Sequence, residues 1–247
     1  NECANFVDLI ILALAGFATS LMTAVIGLGG GVVLMLVMPG LIPLAAIIPV
    51  HAFVQFISNA ARVGFAFNHA DLKLLVPLTL GSLVGALIGS PAVGWVSFTV
   101  LPAVAGVIIL LLVWLPFDRF IPKGGSALFV LGVYQTGLGM VAGATGPLGA
   151  AVLNRINTER EWIVVNTGVY MTINHGLRTV AFALLGFAFN AWWLTITVMS
   201  VGVIAGAGLG TRLRQNVPQK NFEALFKWIV TALALRMVVM TVLELES

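Results

Sequence analysis

The sequence predicts an all-α polytopic membrane protein made of two inverted four-helix repeats, with about eight long transmembrane helices. Sixty per cent of the 247 residues are hydrophobic and nine per cent are charged, whereas soluble domains have about 25% charged residues. Several apolar stretches exceed the roughly 20 residues that a helix needs to cross a bilayer. A transmembrane barrel would alternate polar and apolar residues, and runs such as VIILLLVWL do not.

A weak internal repeat divides the chain into an N-terminal half, residues 1–117, and a C-terminal half, residues 118–247, within one integrated membrane domain. The pentapeptide GFAFN occurs at 64–68 and again at 186–190. Each copy follows an apolar helix that carries a polar patch and an arginine. Each copy is followed by glycines at every fourth position, a pattern here called a glycine ladder. The first ladder is Gly81, Gly85 and Gly89, and the second is Gly202, Gly206 and Gly210. The agreement in order and spacing predicts four long helices per half, and the glycines indicate close helix contacts.

Each half opens with an apolar helix that small residues interrupt. Phe6–Ile26 leads into a glycine-rich break at 27–31, and residues 127–139 lead into a break at 142–147. Clusters of Gly and Pro interrupt helices. At membrane depth such a break persists only where protein or water lines it. We therefore predict one broken, re-entrant segment at the start of each half.

The basic residues predict the orientation. If each broken segment returns the chain to its starting side, the basic loops all lie on one face, as the positive-inside rule requires. Their members are His69, Lys73, Arg119, Lys123, Arg155, Arg160, Arg212, Arg214 and Lys220. The halves are then inverted, as in many secondary transporters. The expected location is the cell inner (cytoplasmic) membrane, with both termini non-cytoplasmic.

Two arginines lie in long apolar runs without a neighbouring carboxylate: Arg62 within 49–67 and Arg178 within 162–189. An intramembrane charge marks a pathway or a binding site, and two unpaired cations favour an anionic ligand. Polar residues share the helix faces of these arginines. They are His51, Gln55, Ser58 and Asn59 in the first run, and Asn174 and His175 in the second. A guanidinium suits an oxyanion, so all eight are predicted to bind substrate; the alternative is that the arginines snorkel to headgroups or cap helix carbonyls.

The two breaks are further candidate anion sites. The backbone N–H groups at the start of a helix limb attract anions, and glycine allows a close approach. The candidates are Gly29, Gly30 and Gly31 in the first break, and Thr145, Gly146 and Leu148 in the second. The alternative is a tight packing elbow between helices.

Other function classes find little support in the sequence. The lone Cys3 supplies neither a metal cluster nor an intramolecular disulfide, and the glycines lack a P-loop lysine. H-E-x-x-H and G-x-S-x-G are missing. We expect that the protein is not an enzyme and that it uses no cofactor, metal or nucleic-acid partner. Its expected partners are a small anionic substrate and the lipid bilayer, and a homo-oligomer is left open. His51 and His175 could titrate near neutral pH, which leaves protons open as a coupling ion.

Several of these features together resemble the TauE/SafE sulfite exporter family of permeases. They are GLGGG at 27–31, the Asn59–Arg62 pair, the loop residue Asp71 and the glycine ladder; the second half departs from this pattern with GATGP at 143–147. The resemblance implies eight long spans in two related halves, and sulfur-containing oxyanions such as sulfite, sulfoacetate or other organosulfonates as substrates. We expect a secondary transporter that works by alternating access; the alternative is a channel-like pore for small anions.

Overall fold

The structure, a computed structural model, describes residues 5–27, 29–95, 100–115, 126–143, 149, 152–216 and 222–246. These residues form nine α-helices: α1 Phe6–Ile26, α2 Gly30–Val37, α3 Leu44–Phe65, α4 Leu75–Trp95, α5 Leu101–Trp114, α6 Ala127–Ala142, α7 Arg160–Leu184, α8 Trp193–Leu213 and α9 Phe222–Glu246. The all-α prediction is confirmed. Among the predicted basic-loop residues, Arg119, Lys123 and Lys220 lie outside the described ranges.

The first predicted interruption separates α1 from α2. The side chain of Asn5 accepts a hydrogen bond from the backbone of Asp8 and so caps the start of α1. At its other end Gly27 has φ +98° and Gly29 has φ +96°, a conformation that favours glycine. The eight residues of α2 span only about 12 Å at 1.5 Å per residue, too little to cross a bilayer alone. In the second half α6 also ends at a glycine with positive φ, Gly143.

Many exposed side chains of the described helices are apolar, and a set of polar side chains is buried beside the apolar core. Four of these helices combine the length and composition needed to cross a membrane: α1, α3, and α4 and α8 with the short turns that precede them. Large apolar side chains such as Leu87 and Leu184 are exposed, whereas His51 and Asn174 are fully buried. This distribution is typical of a multi-pass membrane protein, whose surface faces hydrocarbon and whose polar residues face its interior.

The glycine ladders are close helix contacts, as predicted. A Cβ at Gly81, Gly85 or Gly89 of α4 would collide with the backbone of α6 at Phe129, Val133 or Gly137, respectively. In the same way, a Cβ at Gly202, Gly206 or Gly210 of α8 would collide with α1 at Ala13, Phe17 or Leu21. Each glycine ladder therefore packs against the opening helix of the other half, α4 against α6 and α8 against α1.

The two arginine-bearing helices, α3 and α7, pack against each other. Phe56 lies 3.2 Å from the position of a Cβ at Gly176, and the rings of His51 and His175 are centred 5.6 Å apart. Arg62, further along α3, lies beside Gly168, which comes earlier on α7. The two helices are therefore antiparallel, and together they carry the eight predicted binding residues that lie outside the two breaks.

Candidate functional site

Both arginines are buried. Arg62 is 2% exposed and Arg178 is fully buried, so neither side chain reaches a headgroup layer by snorkelling. Among the described residues neither guanidinium forms a salt bridge with a carboxylate, whereas Arg214 forms one with Glu161. Arg62 lies beside Gly168, and Arg178 is ten residues further along α7. Their positions are thus about 15 Å apart along the helix axis.

Arg178 has one engaged nitrogen and one free edge. Its Nη1 donates to the carbonyl oxygen of Gly143 at 2.6 Å and to Nδ1 of His175 at 3.3 Å. The guanidinium lies over Gly139, where an added Cβ would come within 3.1 Å of Nη1. Its Nε and Nη2 have no hydrogen-bond partner among the described residues. These two nitrogens share one edge of the planar group, so they can donate parallel bonds to two oxygens of one ligand.

Arg62 is more fully engaged. Its Nη2 donates to Oδ1 of Asn59 at 2.6 Å, and its Nη1 donates to the carbonyl oxygen of Thr23 at 3.3 Å. Only Nε lacks a partner among the described residues. Asn59 in turn donates to the carbonyl oxygen of Gln55 at 2.6 Å. The predicted pairing of Asn59 with Arg62 therefore exists as a direct hydrogen bond.

Three arginines from different parts of the chain converge on the end of α1. The consecutive carbonyl oxygens of residues 23–25 accept bonds from Arg62, Arg214 and Arg160, in that order, at 3.3, 3.2 and 2.7 Å. Arg214 also donates through Nε to Glu161 at 2.9 Å. Cations at a helix C-terminus are favourable because the last carbonyls are unpaired and the helix dipole is negative there. This cluster, here called the arginine cap, fixes the end of α1.

Two histidines lie near the middle of the shared face of α3 and α7. His51 and His175 are both buried, and Nε2 of His51 lies 2.7 Å from the carbonyl oxygen of Gly31. Arg178 is close enough to both histidines for its charge to act on them. The histidines thus connect Arg178 with α2, the limb that follows the first break.

The remaining predicted polar residues mostly hold helices together. The hydroxyl of Ser58 lies 2.8 Å from that of Ser20 on α1, and Asn174 donates to the hydroxyl of Thr136 on α6 at 3.0 Å. Oδ1 of Asn174 remains without a partner among the described residues, although it is buried. Of this group, Asn174 is the one placed to offer a further polar atom to a ligand.

The predicted residues of the two breaks fall into two groups, those that the structure describes and those that it does not. The space for a Cβ at Gly30 is taken by the carbonyl oxygen of Thr19, and the space at Gly31 is limited by Gln55 at 3.2 Å. Gly29 is the N-cap of α2. These contacts give Gly30 the role of a packing elbow between α1 and α2. The predicted residues of the second break, Thr145, Gly146 and Leu148, lie outside the described residues.

The sequence reasoning missed two features of the site. Tyr170 is fully buried, its hydroxyl has no partner among the described residues, and its ring lies against Gly149. It shares a helix face with Asn174 and Arg178, so the spacing of four residues could have identified it. The second feature, the carbonyl oxygen of Gly143 that holds Arg178, has no signal in the side-chain pattern.

Elsewhere the described residues offer no metal centre, and a cavity that they line is mainly apolar. No group of three His, Cys, Asp or Glu side chains there could hold a metal ion. An open cavity of about 460 Å³ lies between α3 and α8, lined by Phe53, Trp193, Ile196 and other mainly apolar residues. The lining carries no charged side chain, and most of it offers no hydrogen bond to replace the hydration that an anion would lose.

Comparison with known proteins gives one result that covers most of the chain. The family model described as Sulfite exporter TauE/SafE matches residues 12–237. No curated protein and no solved structure matches the sequence. The match includes both arginines, the arginine cap and all the helices of the candidate site.

Proposed function

Because the chain belongs to the TauE/SafE sulfite exporter family, we propose that it is a secondary transporter that moves a small sulfur-containing oxyanion through the Arg178 site. Membership of the family implies a membrane transporter of sulfur-containing anions such as sulfite. The proposal adds the substrate class, which is sulfite, sulfoacetate or another organosulfonate, and a mechanism of alternating access across the cytoplasmic membrane.

The free edge of Arg178 carries this proposal. A fully buried guanidinium is costly unless it is paired, yet its Nε and Nη2 have no partner among the described residues. Sulfite and sulfonates place several oxygens around one sulfur, and two of these oxygens can accept the parallel bonds of one guanidinium edge. The bound anion would thus supply both the missing charge and the missing acceptors.

Neighbouring groups would complete the anion site. Tyr170 lies on the same helix face as Arg178, and its buried hydroxyl, which has no partner among the described residues, can donate to an anion there. His175 orients the guanidinium through Nη1. Thr145, Gly146 and Leu148 come two to five residues after Gly143 in the chain, so their backbone and hydroxyl groups remain proposed ligands. Arg62, with only its Nε unpaired, would contribute less than Arg178.

The two halves, 1–117 and 118–247, would provide the alternating access. The exchange of glycine contacts between halves and the two positive-φ glycines that end α1 and α6 support an inverted repeat of four long helices each. In this proposal the broken segments are re-entrant, both termini are non-cytoplasmic, and the halves rock about the central pair α3 and α7.

Transport assays in proteoliposomes test the function. We expect saturable uptake of sulfite or sulfoacetate, and faster uptake of labelled anion when unlabelled anion is present inside the vesicles. This counterflow is the property of a carrier. Flux that does not saturate and shows no counterflow would favour the channel-like alternative. No flux of any sulfur oxyanion in a panel would refute the proposal.

A further inference from the structure

We propose that His51 is a proton-binding site coupled to the anion at Arg178, so that the protein carries a proton together with its anion. This inference rests on the proposed function, because it requires an anion at Arg178. It adds the coupling ion and names the atom that binds it, Nδ1 of His51.

The hydrogen bonds of His51 determine which nitrogen is free to accept a proton. Its Nε2 lies 2.7 Å from the carbonyl oxygen of Gly31, which can only accept a hydrogen bond. Nε2 must therefore carry the hydrogen, and in the neutral ring Nδ1 carries a lone pair. This Nδ1 is buried and has no partner among the described residues. A proton can bind there without breaking an existing bond.

His175 is in the opposite situation. Arg178 has only donors, so Nδ1 of His175, 3.3 Å from Nη1, must accept this hydrogen bond. A proton on that nitrogen would break the bond and would point at a guanidinium. Of the two adjacent histidines, His51 is thus the one that can gain a charge with its present contacts intact.

Charge couples this proton to the anion. Without an anion, a protonated His51 would be a second buried cation close to Arg178, which is strongly unfavourable. An anion on the free edge of Arg178 would remove most of this repulsion. Anion binding therefore favours protonation of His51, and by reciprocity protonation favours anion binding.

No other titratable group of the packed helices competes for this role. From α7 the groups that interact with His51 or Arg178 are His175 and Tyr170. Helices α2 and α5 contain no titratable residue, α8 has only Arg212 in its last turn, and Tyr134 of α6 is 43% exposed. Within the described helices packed on α3, the pH response of the anion site therefore depends on His51.

Protonation would also act on the first break. His51 donates to Gly31 in the first turn of α2, and a positively charged ring donates more strongly. Arg178 holds Gly143, which ends α6 before the second break. The proton would therefore act on the first interrupted segment through Gly31, and the anion would act on the second through Arg178 and Gly143.

The test measures anion affinity as a function of pH. The full chain in detergent is titrated calorimetrically with sulfite and with sulfoacetate between about pH 5.5 and 8, and His51→Gln is compared with wild type. The glutamine amide can still donate to Gly31. His69→Gln, the same change in the short turn after α3, is the matched control. Because all three proteins meet the same ligand, their differences remove the titration of the ligand itself.

We expect the affinity of wild type and His69→Gln to rise as the pH falls, by at most about tenfold per pH unit relative to His51→Gln, the limit for one coupled proton. Wild type in weak buffer should also take up protons when sulfoacetate is added, a measurement that does not depend on the folding of any variant. Equal pH dependence in His51→Gln and wild type, or binding without proton uptake, would overturn this inference and leave the proposed function standing. If neither anion binds wild type at any pH, the proposed function fails, and this inference with it.

Discussion

Arg62 and Arg178 occupy corresponding places in the two halves, and their surroundings show what the halves share and where they differ. Each arginine lies near the end of a central helix and donates to a backbone carbonyl near the end of the opening helix, α1 or α6. Each also contacts the residue three positions earlier on its own helix, Asn59 or His175. The scaffold around the two guanidinium groups is thus the same.

The second shared feature involves the residues that immediately precede Asn59 and His175 on the two helices. Ser58 meets the hydroxyl of Ser20 on α1, and Asn174 meets the hydroxyl of Thr136 on α6. Ser20 and Thr136 are separated along the chain by the same number of residues as Ser58 and Asn174. These matching hydrogen bonds support the proposed repeat, although the residue types at the matching positions differ.

The difference lies in the free hydrogen-bond donors. Arg62 uses both terminal nitrogens and joins Arg160 and Arg214 in the arginine cap, whereas Arg178 keeps Nε and Nη2 free among the described residues. This difference supports our proposal that Arg178 binds the anion and that Arg62 is mainly structural.

The largest expected effect separates the two arginines. Arg178→Lys keeps the charge but loses the planar edge, so we expect sulfite affinity to fall by about 2–5 kcal/mol, the cost of truncating one member of a buried charge pair. Arg62→Lys, the matched variant, should lower stability more than affinity. Calorimetric binding and thermal unfolding distinguish the two. Equal losses of affinity would show that both guanidinium groups bind the anion, and the functional difference between the halves would disappear.

A smaller effect should be the same in both halves. Gly85→Ala would place a Cβ against the backbone of Val133, and Gly206→Ala would place one against Phe17. Because backbone cannot move aside easily, each change should reduce stability by about 1–3 kcal/mol, which thermal unfolding in detergent would detect. Gly64→Ala is the control, since nothing lies within 4 Å of its Cβ position. A large loss in only one ladder variant would contradict the equivalence of the two helix contacts.

The smallest expected effect concerns the arginine cap. Glu161→Gln removes the partner of buried Arg214, and since Glu161 is 24% exposed we expect a loss of about 1–2 kcal/mol in stability, between a surface pair and a buried pair. Glu159→Gln, a similar change at an exposed position two residues away, should be neutral. Sulfite affinity should not change in either variant. A clear loss of affinity in Glu161→Gln would place the cap within the binding site.

Composition and spacing were enough to predict the membrane class, the two intramembrane arginines and the glycine ladders. These follow from composition and from periodicity along single helices, where a costly charge or a missing side chain has a local signature. Alignment of the two arginines in the sequence also makes Ser58 equivalent to Asn174 and Asn59 equivalent to His175. Eight long spans and the inverted orientation stay predictions, since four of the described helices satisfy the length and composition of a span.

The nitrogens of Arg62 and Arg178 that lack a partner among the described residues could be identified only from the tertiary contacts. The partners of Arg178 and of the arginine cap are largely backbone carbonyls, and every residue type offers a carbonyl, so no pattern of side chains predicts which one will be used. The distinction between a structural arginine and a binding arginine depends on contacts between helices far apart in the chain. Residue spacing within one helix does not contain that information.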